Sequence, residues 1–344
     1  MNRRQFGLGT AALLASAAVP ATQAVLATRL VKPPRLKPGS LVGLVEPSGV
    51  VDDAMIERGV RNLEGFGLRV KLSPNLRAAR GGYAGTVNQR LADLHGMFLD
   101  REVEGLWVLR GGSGCAMLLP HLDYDLIRSR PKVVVGYSDV TSLHLGLLRG
   151  AGLVSFHGPG ASSMFSEYSA ANLRAVLMEP QPTCTFAPAQ ENEEKARDQP
   201  QFAPHTYREG VAEGRLVGGN LAVLSSLIGT PHAALTRGSL LFLEEVREAP
   251  YRVDRMLEQL RQSGALAGAA GVMLGVFQKC EPPDAEPSLS LAEVLEGQFG
   301  ASKVPAAYGF SFGHIPHQLT LPLGVRARMD AKERSLTLLE PAVV

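Results

Sequence analysis

No C-x-x-C pair, no H-E-x-x-H stretch and no glycine-rich Walker-type loop occurs in this sequence. A structural zinc knuckle, a zinc peptidase of that helical type and a P-loop nucleotide enzyme are therefore disfavoured. Cysteine is scarce. Cys115, Cys184 and Cys280 form an odd, widely spaced set that makes no disulfide framework. Charge of one sign is missing as well: 35 Lys and Arg face 33 Asp and Glu, and no basic run with interleaved aromatics appears. Nothing in that balance invites nucleic acid. The one apolar run near the start falls short of the about 20 residues that span a bilayer, so stable membrane insertion is not expected.

What is present is an ordinary globular composition, 45% hydrophobic and 20% charged. At roughly 100–200 residues per domain the chain has room for two domains. A chain of this kind buries a large core without disulfide or metal staples. Its first residues are distinctive. Arg3, Arg4 and Phe6 precede an apolar stretch through Leu13, Leu14 and Val19, and small residues Ala21, Ala24 and Ala27 follow. A charged start, a short apolar run and a small-residue end make an export signal, here of twin-arginine type. Residues 1–31 are assigned to that signal, and a periplasmic location is expected.

Beyond it, short apolar runs alternate with helical spacing. Strands are expected at 41–45, 68–72, 105–109, 133–135 and 153–156, with helices at 52–66, 87–99 and 140–148. That rhythm predicts a parallel sheet covered on both faces, in an N-terminal α/β domain over 32–165. The rhythm then breaks. Residues 191–200 are charged and polar, Pro and Gln are frequent from 180 to 204, and 166–212 is read as a linker. A second domain over 213–344 follows. Helices are expected at 220–228, 252–260 and 291–299, strands at 240–243 and 271–277, and a β-leaning end from 318 to 339.

Chemistry concentrates at a few turns. Val133, Val134 and Val135 lead into Gly136, Tyr137 and Ser138, and a helical stretch follows. This is the layout of a nucleophile elbow, with Val140 at the position where Gly is usual. The amide of Asp139, at a helix N-terminus, could face an oxyanion. A second strand ends in Arg110, Gly111 and Gly112, and either glycine could supply another amide. Both turns lie at carboxyl ends of predicted strands, where open α/β sheets bind ligands. Ser113 and Cys115 are rival nucleophiles without that context.

A serine hydroxyl needs a base to take its proton. Among eight histidines, His314 stands in a Gly- and Pro-flanked loop after a predicted strand, with His317 as its rival. His144 falls on a helix and fits a packed core role, and His157 follows the same region. A carboxylate should orient the imidazole. Glu244 and Glu245 end an apolar strand, and one of the two would face inward.

Taken in order, these pieces resemble the LD-carboxypeptidase family of serine peptidases, which includes murein tetrapeptide carboxypeptidases and microcin C self-immunity peptidases. The likeness runs from about residue 37 to 330. It rests on Arg110-Gly111-Gly112, on Leu122-Asp123-Tyr124-Asp125 with Pro131-Lys132, and on Gly136-Tyr137-Ser138-Asp139. It rests further on Phe156-His157-Gly158-Pro159, Gly218-Gly219-Asn220, Leu243-Glu244-Glu245-Val246, Pro250-Tyr251-Arg252-Val253-Asp254-Arg255, and Gly313-His314 with Leu321-Pro322-Leu323-Gly324.

The resemblance implies a flavodoxin-like α/β domain carrying the nucleophile and a β-rich second domain carrying the other two groups. It implies a triad of Ser138, Glu244 and His314, because the first acid of the family's pair serves. It also implies an acyl-enzyme route, no cofactor, a homodimer, and cleavage before a C-terminal D-Ala in murein tetrapeptides. A microcin-immunity type of peptidase cutting an aminoacyl-nucleotide amide is the alternative, and a non-catalytic periplasmic binding protein is a third reading. The chain departs from the family pattern at Gln318, Glu245 and Ser113, where Asn, Asp and Tyr are frequent. The export signal departs from it too, since the family's recycling members are usually cytoplasmic.

Overall fold

The computed structural model describes residues 29–282 and 287–344. The expected export signal therefore lies outside the described residues up to residue 28. Its last residues do not stand apart from the fold. Val31 bridges Leu153, and Val154 N–H donates to Val31 O at 2.9 Å, so the packed region begins ahead of Lys32.

Five strands alternate with helices through the first half: β1 (Leu41–Val45), β2 (Arg69–Leu72), β3 (Val103–Val108), β4 (Val133–Gly136) and β5 (Phe156–His157). They run parallel in the order β2-β1-β3-β4-β5. This is the doubly wound order of flavodoxin-like sheets. The strands β3 and β4 are apolar almost without alternation because helices cover both faces. Local chemistry sets the helix starts. Asp52 accepts from Met55 N–H ahead of the helix Asp53–Gly65, and Thr86 with Gln89 forms a reciprocal cap on Val87–Leu99.

The second sheet gathers β6 (Cys184–Phe186), β7 (His205–Arg208), β8 (Val211–Asn220), β9 (Ser239–Glu244), β10 (Gly271–Val276), β11 (Ala306–Gly313), β13 (Arg326–Asp330) and β14 (Ser335–Leu338). Its order is β6-β14-β13-β8-β9-β10-β11-β7. The central four, β8 to β11, are parallel, and the flanks are antiparallel. The strand β12 (Leu321–Pro322) belongs to neither half alone. It leaves the second region and pairs antiparallel with β5, closing the edge of the first sheet.

The expected linker is corrected by the structure. Residues 166–212 hold the helix Glu167–Leu177, which Ser166 caps, and the strands β6 and β7, which edge the second sheet on opposite sides. A three-residue strand and a strand with four exposed or half-buried residues carry too little apolar alternation to show in sequence. In the first half, the strand expected at 153–156 is realised as β5, one to three residues later.

Trp107, the sole tryptophan of the chain, stands next to the end of β3 and is wholly buried. Its ring meets Phe66 and Phe165, and its Nε1–H donates to Pro159 O at 2.9 Å, tying the loop after β5 to the sheet. Trp107→Ala removes both the ring and that tie. It is expected to cost about 3–5 kcal/mol of unfolding free energy, read by denaturant titration followed through circular dichroism.

Candidate active site

The turn after β4 holds Ser138 in a left-handed backbone conformation, with φ of 64°. A non-glycine residue takes that conformation only when its surroundings impose it. Here β4 forces it from one side and the helix Val140–Gly146 from the other. The side chain is thereby lifted off the end of the sheet. On the opposite wall, Glu244 closes β9 as a fully buried residue. His314 follows β11 directly. Between them lies Gly313, at φ 116°, where a Cβ would sit 3.1 Å from Glu244 Cβ. Only glycine lets the backbone pass the carboxylate that closely.

The three side chains meet. His314 Nδ1–H donates to Glu244 Oε2 at 2.7 Å, and Ser138 Oγ lies 3.0 Å from His314 Nε2. With a carboxylate at Nδ1, that nitrogen carries the proton and Nε2 is left to accept from the serine. Burial by itself would push the His314 pKa down. The charge of Glu244 and its hydrogen bond outweigh burial and hold the imidazole above its ordinary 6.5. Glu244 is also buried, which favours its neutral form, yet the facing imidazole keeps its carboxyl below the usual range.

Gly111 is packed against the serine: a Cβ there would lie 2.7 Å from Ser138 Cβ. Among the described residues, the amides of Asp139, Gly111 and Gly112 donate to no protein acceptor. The turns that carry them are pinned from below. Asp139 Oδ2 accepts from Ser48 Oγ at 2.8 Å and from Cys115 N–H at 2.9 Å. Glu46, pushed well above its ordinary pKa by burial, accepts from the amides of Ser48 and Arg110.

The rivals fall elsewhere. Cys115 is fully buried, and burial raises its thiol well above the usual value, so it is no nucleophile. Ser113 is exposed on the far end of the glycine turn. His317 faces Glu191 at 3.5 Å, and His144 is locked in the core between Ser155 Oγ and Gly136 O. All three cysteines are free thiols.

Sequence reasoning passed over the clamp that joins the two walls. Asn220 N–H donates to Thr141 Oγ1 at 2.9 Å, across from the second sheet to the helix after Ser138. Asn220 Nδ2–H in turn donates to Glu245 Oε1, and Ala222 N–H to Glu245 Oε2. Glu245 is thus the anchor of the acid pair, its carboxyl pushed up to about 7 by burial and by the Glu244 charge beside it. The only trace of this in the sequence is the Gly218-Gly219-Asn220 run. A cavity of about 1290 Å³, bordered by Arg149, Arg215, Leu224 and Ile228, contains none of the three meeting side chains.

Comparison with known proteins identifies the family. The LD-carboxypeptidase N-terminal domain description matches residues 42–158, and the C-terminal domain description matches 213–329. A Bacillus subtilis protein named "Probable murein peptide carboxypeptidase" is 38% identical over 312 residues, covering 89% of this chain and 94% of that protein. The murein tetrapeptide carboxypeptidase of Pseudomonas aeruginosa is 32% identical over 294 residues, covering 84% of this chain and 92% of its own. The wild-type apo structure of the microcin C7 self-immunity protein superposes with a TM-score of 0.80 at 24% identity, covering 91% of this chain and 100% of that one, and so shares the fold.

Thr141→Val keeps the shape of the clamp residue and strips its hydroxyl, leaving the buried Asn220 amide without an acceptor. A loss of about 1–3 kcal/mol in unfolding free energy is expected from denaturant titration. Matched by domain descriptions in both halves and by murein carboxypeptidases along most of its length, the chain belongs to the LD-carboxypeptidase family of serine peptidases and is an enzyme of that class.

Proposed function

We propose that Ser138, His314 and Glu244 act as nucleophile, base and orienting acid in hydrolysis of the L,D-amide bond before a C-terminal D-Ala of murein tetrapeptides. One observation carries this reading: a continuous hydrogen-bonded chain from Ser138 Oγ through both nitrogens of His314 to Glu244 Oε2, at 3.0 and 2.7 Å. Neutral His314 takes the Ser138 proton at Nε2 as Oγ attacks the carbonyl carbon. Glu244 holds the imidazole in the required tautomer and offsets the positive charge it gains. The uncommitted amides of Asp139 and of Gly111 or Gly112 receive the oxyanion. The imidazolium then gives its proton to the departing D-Ala amine. Water, deprotonated by the same histidine, cleaves the acyl-enzyme and restores the serine.

Ser138→Ala tests the assignment directly. With purified tetrapeptide as substrate and mass detection of released D-Ala, kcat should fall by roughly four or more orders of magnitude. Turnover at the parental rate refutes it. The pH profile supplies a second test. His314 must be neutral to act, and its pKa is raised, so kcat/KM is expected to fall with acid along a limb lying above pH 6.5. Glu244→Gln removes the raising charge and leaves burial dominant. The limb should then move to lower pH while kcat drops.

The same proposal sets the reaction outside the cytoplasm, on the strength of Arg3, Arg4 and the apolar stretch after them. Replacing both by lysine should abolish export in a fractionation assay, and continued export of the double variant counts against it.

A further inference from the structure

His157 ends β5, paired to Gly136 of β4 on one side and to Leu321 of β12 on the other. Its side chain is fully buried, and neither ring nitrogen has a hydrogen-bond partner. Buried polar groups are almost always paired, and each one left alone is costly. Its neighbour His144 shows the ordinary solution. His144 Nε2–H donates to Gly136 O at 2.9 Å, and Ser155 Oγ meets Nδ1 at 2.9 Å. Of two neighbouring buried histidines, with rings 6.4 Å apart, one is thus satisfied and the other is not.

The surrounding rings place the side chain. The His157 ring lies edge-on to Phe242 at 5.4 Å, and 6.2 Å from Tyr137, whose own ring is 4.9 Å from His314. Phe242 and Glu244 are two residues apart on β9, so their side chains leave the strand on the same face. His157 therefore packs on the Glu244 side of the second sheet. The same face carries another buried polar atom that has no partner among the described residues. Glu244 spends Oε2 on His314, while Oε1 is buried with no partner. Burial pushes the His157 pKa down to about 4, so the ring is neutral and carries one N–H to give.

We propose that His157 is a positioning residue of the triad, whose N–H reaches Glu244 Oε1 through one buried water and so keeps Oε2 aligned on His314 Nδ1. A water in such a place needs two or more polar partners, and these two atoms supply them. Outer partners of this kind fix the orientation of the groups that act. The inference rests on the Ser138–His314–Glu244 reading above.

The test uses the full chain and two readouts: the rate at which a fluorophosphonate probe labels Ser138, and kcat and KM on murein tetrapeptide. His157→Phe keeps the ring packed on Phe242 and removes both nitrogens. Its labelling rate and kcat should fall about 10–100-fold, with KM unchanged and the unfolding midpoint unchanged or raised. His157→Leu serves in its place should the Phe variant fail to fold. His157→Gln, which keeps an N–H donor, should recover part of the loss. Labelling of a folded Phe or Leu variant within twofold of the parent overturns the proposal. So does a loss that His157→Gln shares in full. A parent protein that the probe does not label at Ser138 overturns the triad reading itself and takes this proposal with it.

Discussion

The contact between Ser138 Oγ and His314 Nε2 joins two sheets that have no covalent reason to face one another. Each sheet presents the carboxyl ends of parallel strands to the same gap: β3 and β4 from one side, β9 and β11 from the other. Strand ends of that polarity gather the chain's turns, free amides and helix starts, so one gap holds every group the proposed chemistry requires. A shift of about 1 Å between the sheets would break the contact. The architecture is therefore organised around keeping the two walls in register.

Two buried carboxylates do much of that work, with different duties. Glu244 tunes the imidazole. Glu245 accepts three N–H groups, from Asn220, Ala222 and Val246, and through Asn220 grips the helix that begins after the serine. Two adjacent acids in a dry strand end are electrostatically unfavourable. Neighbouring donors offset that penalty, and the arrangement makes the wall stiff. Below the serine, Glu46 and Asp139 do for the glycine turn what Glu245 does for the far wall.

The alternating first half was legible because continuous apolar runs and helical spacing leave strong marks, and β1 and the helix Val87–Leu99 fall where the periodicity predicts them. The stretch 166–212 was not. Its strands gain their partners from β11 and β14, more than ninety residues away, and isolated windows of sequence carry no trace of such pairing. The site divides the same way. Ser138 and His314 sit at turns whose glycines advertise an unusual backbone. Thr141, Asn220 and His157 look like any polar residue of a capped helix or strand end. Their roles arise only when distant segments meet.

The short strand β12 carries one more implication. Nothing in the first half completes its own sheet; the last partner of β5 is supplied by Leu321 and Pro322, after the second sheet is nearly finished. The amino-terminal half emerging during synthesis would thus keep an unsealed border until the final two dozen residues arrive. On the proposed triad, a chain that stops short of His314 and β12 has neither the base nor the sealed edge.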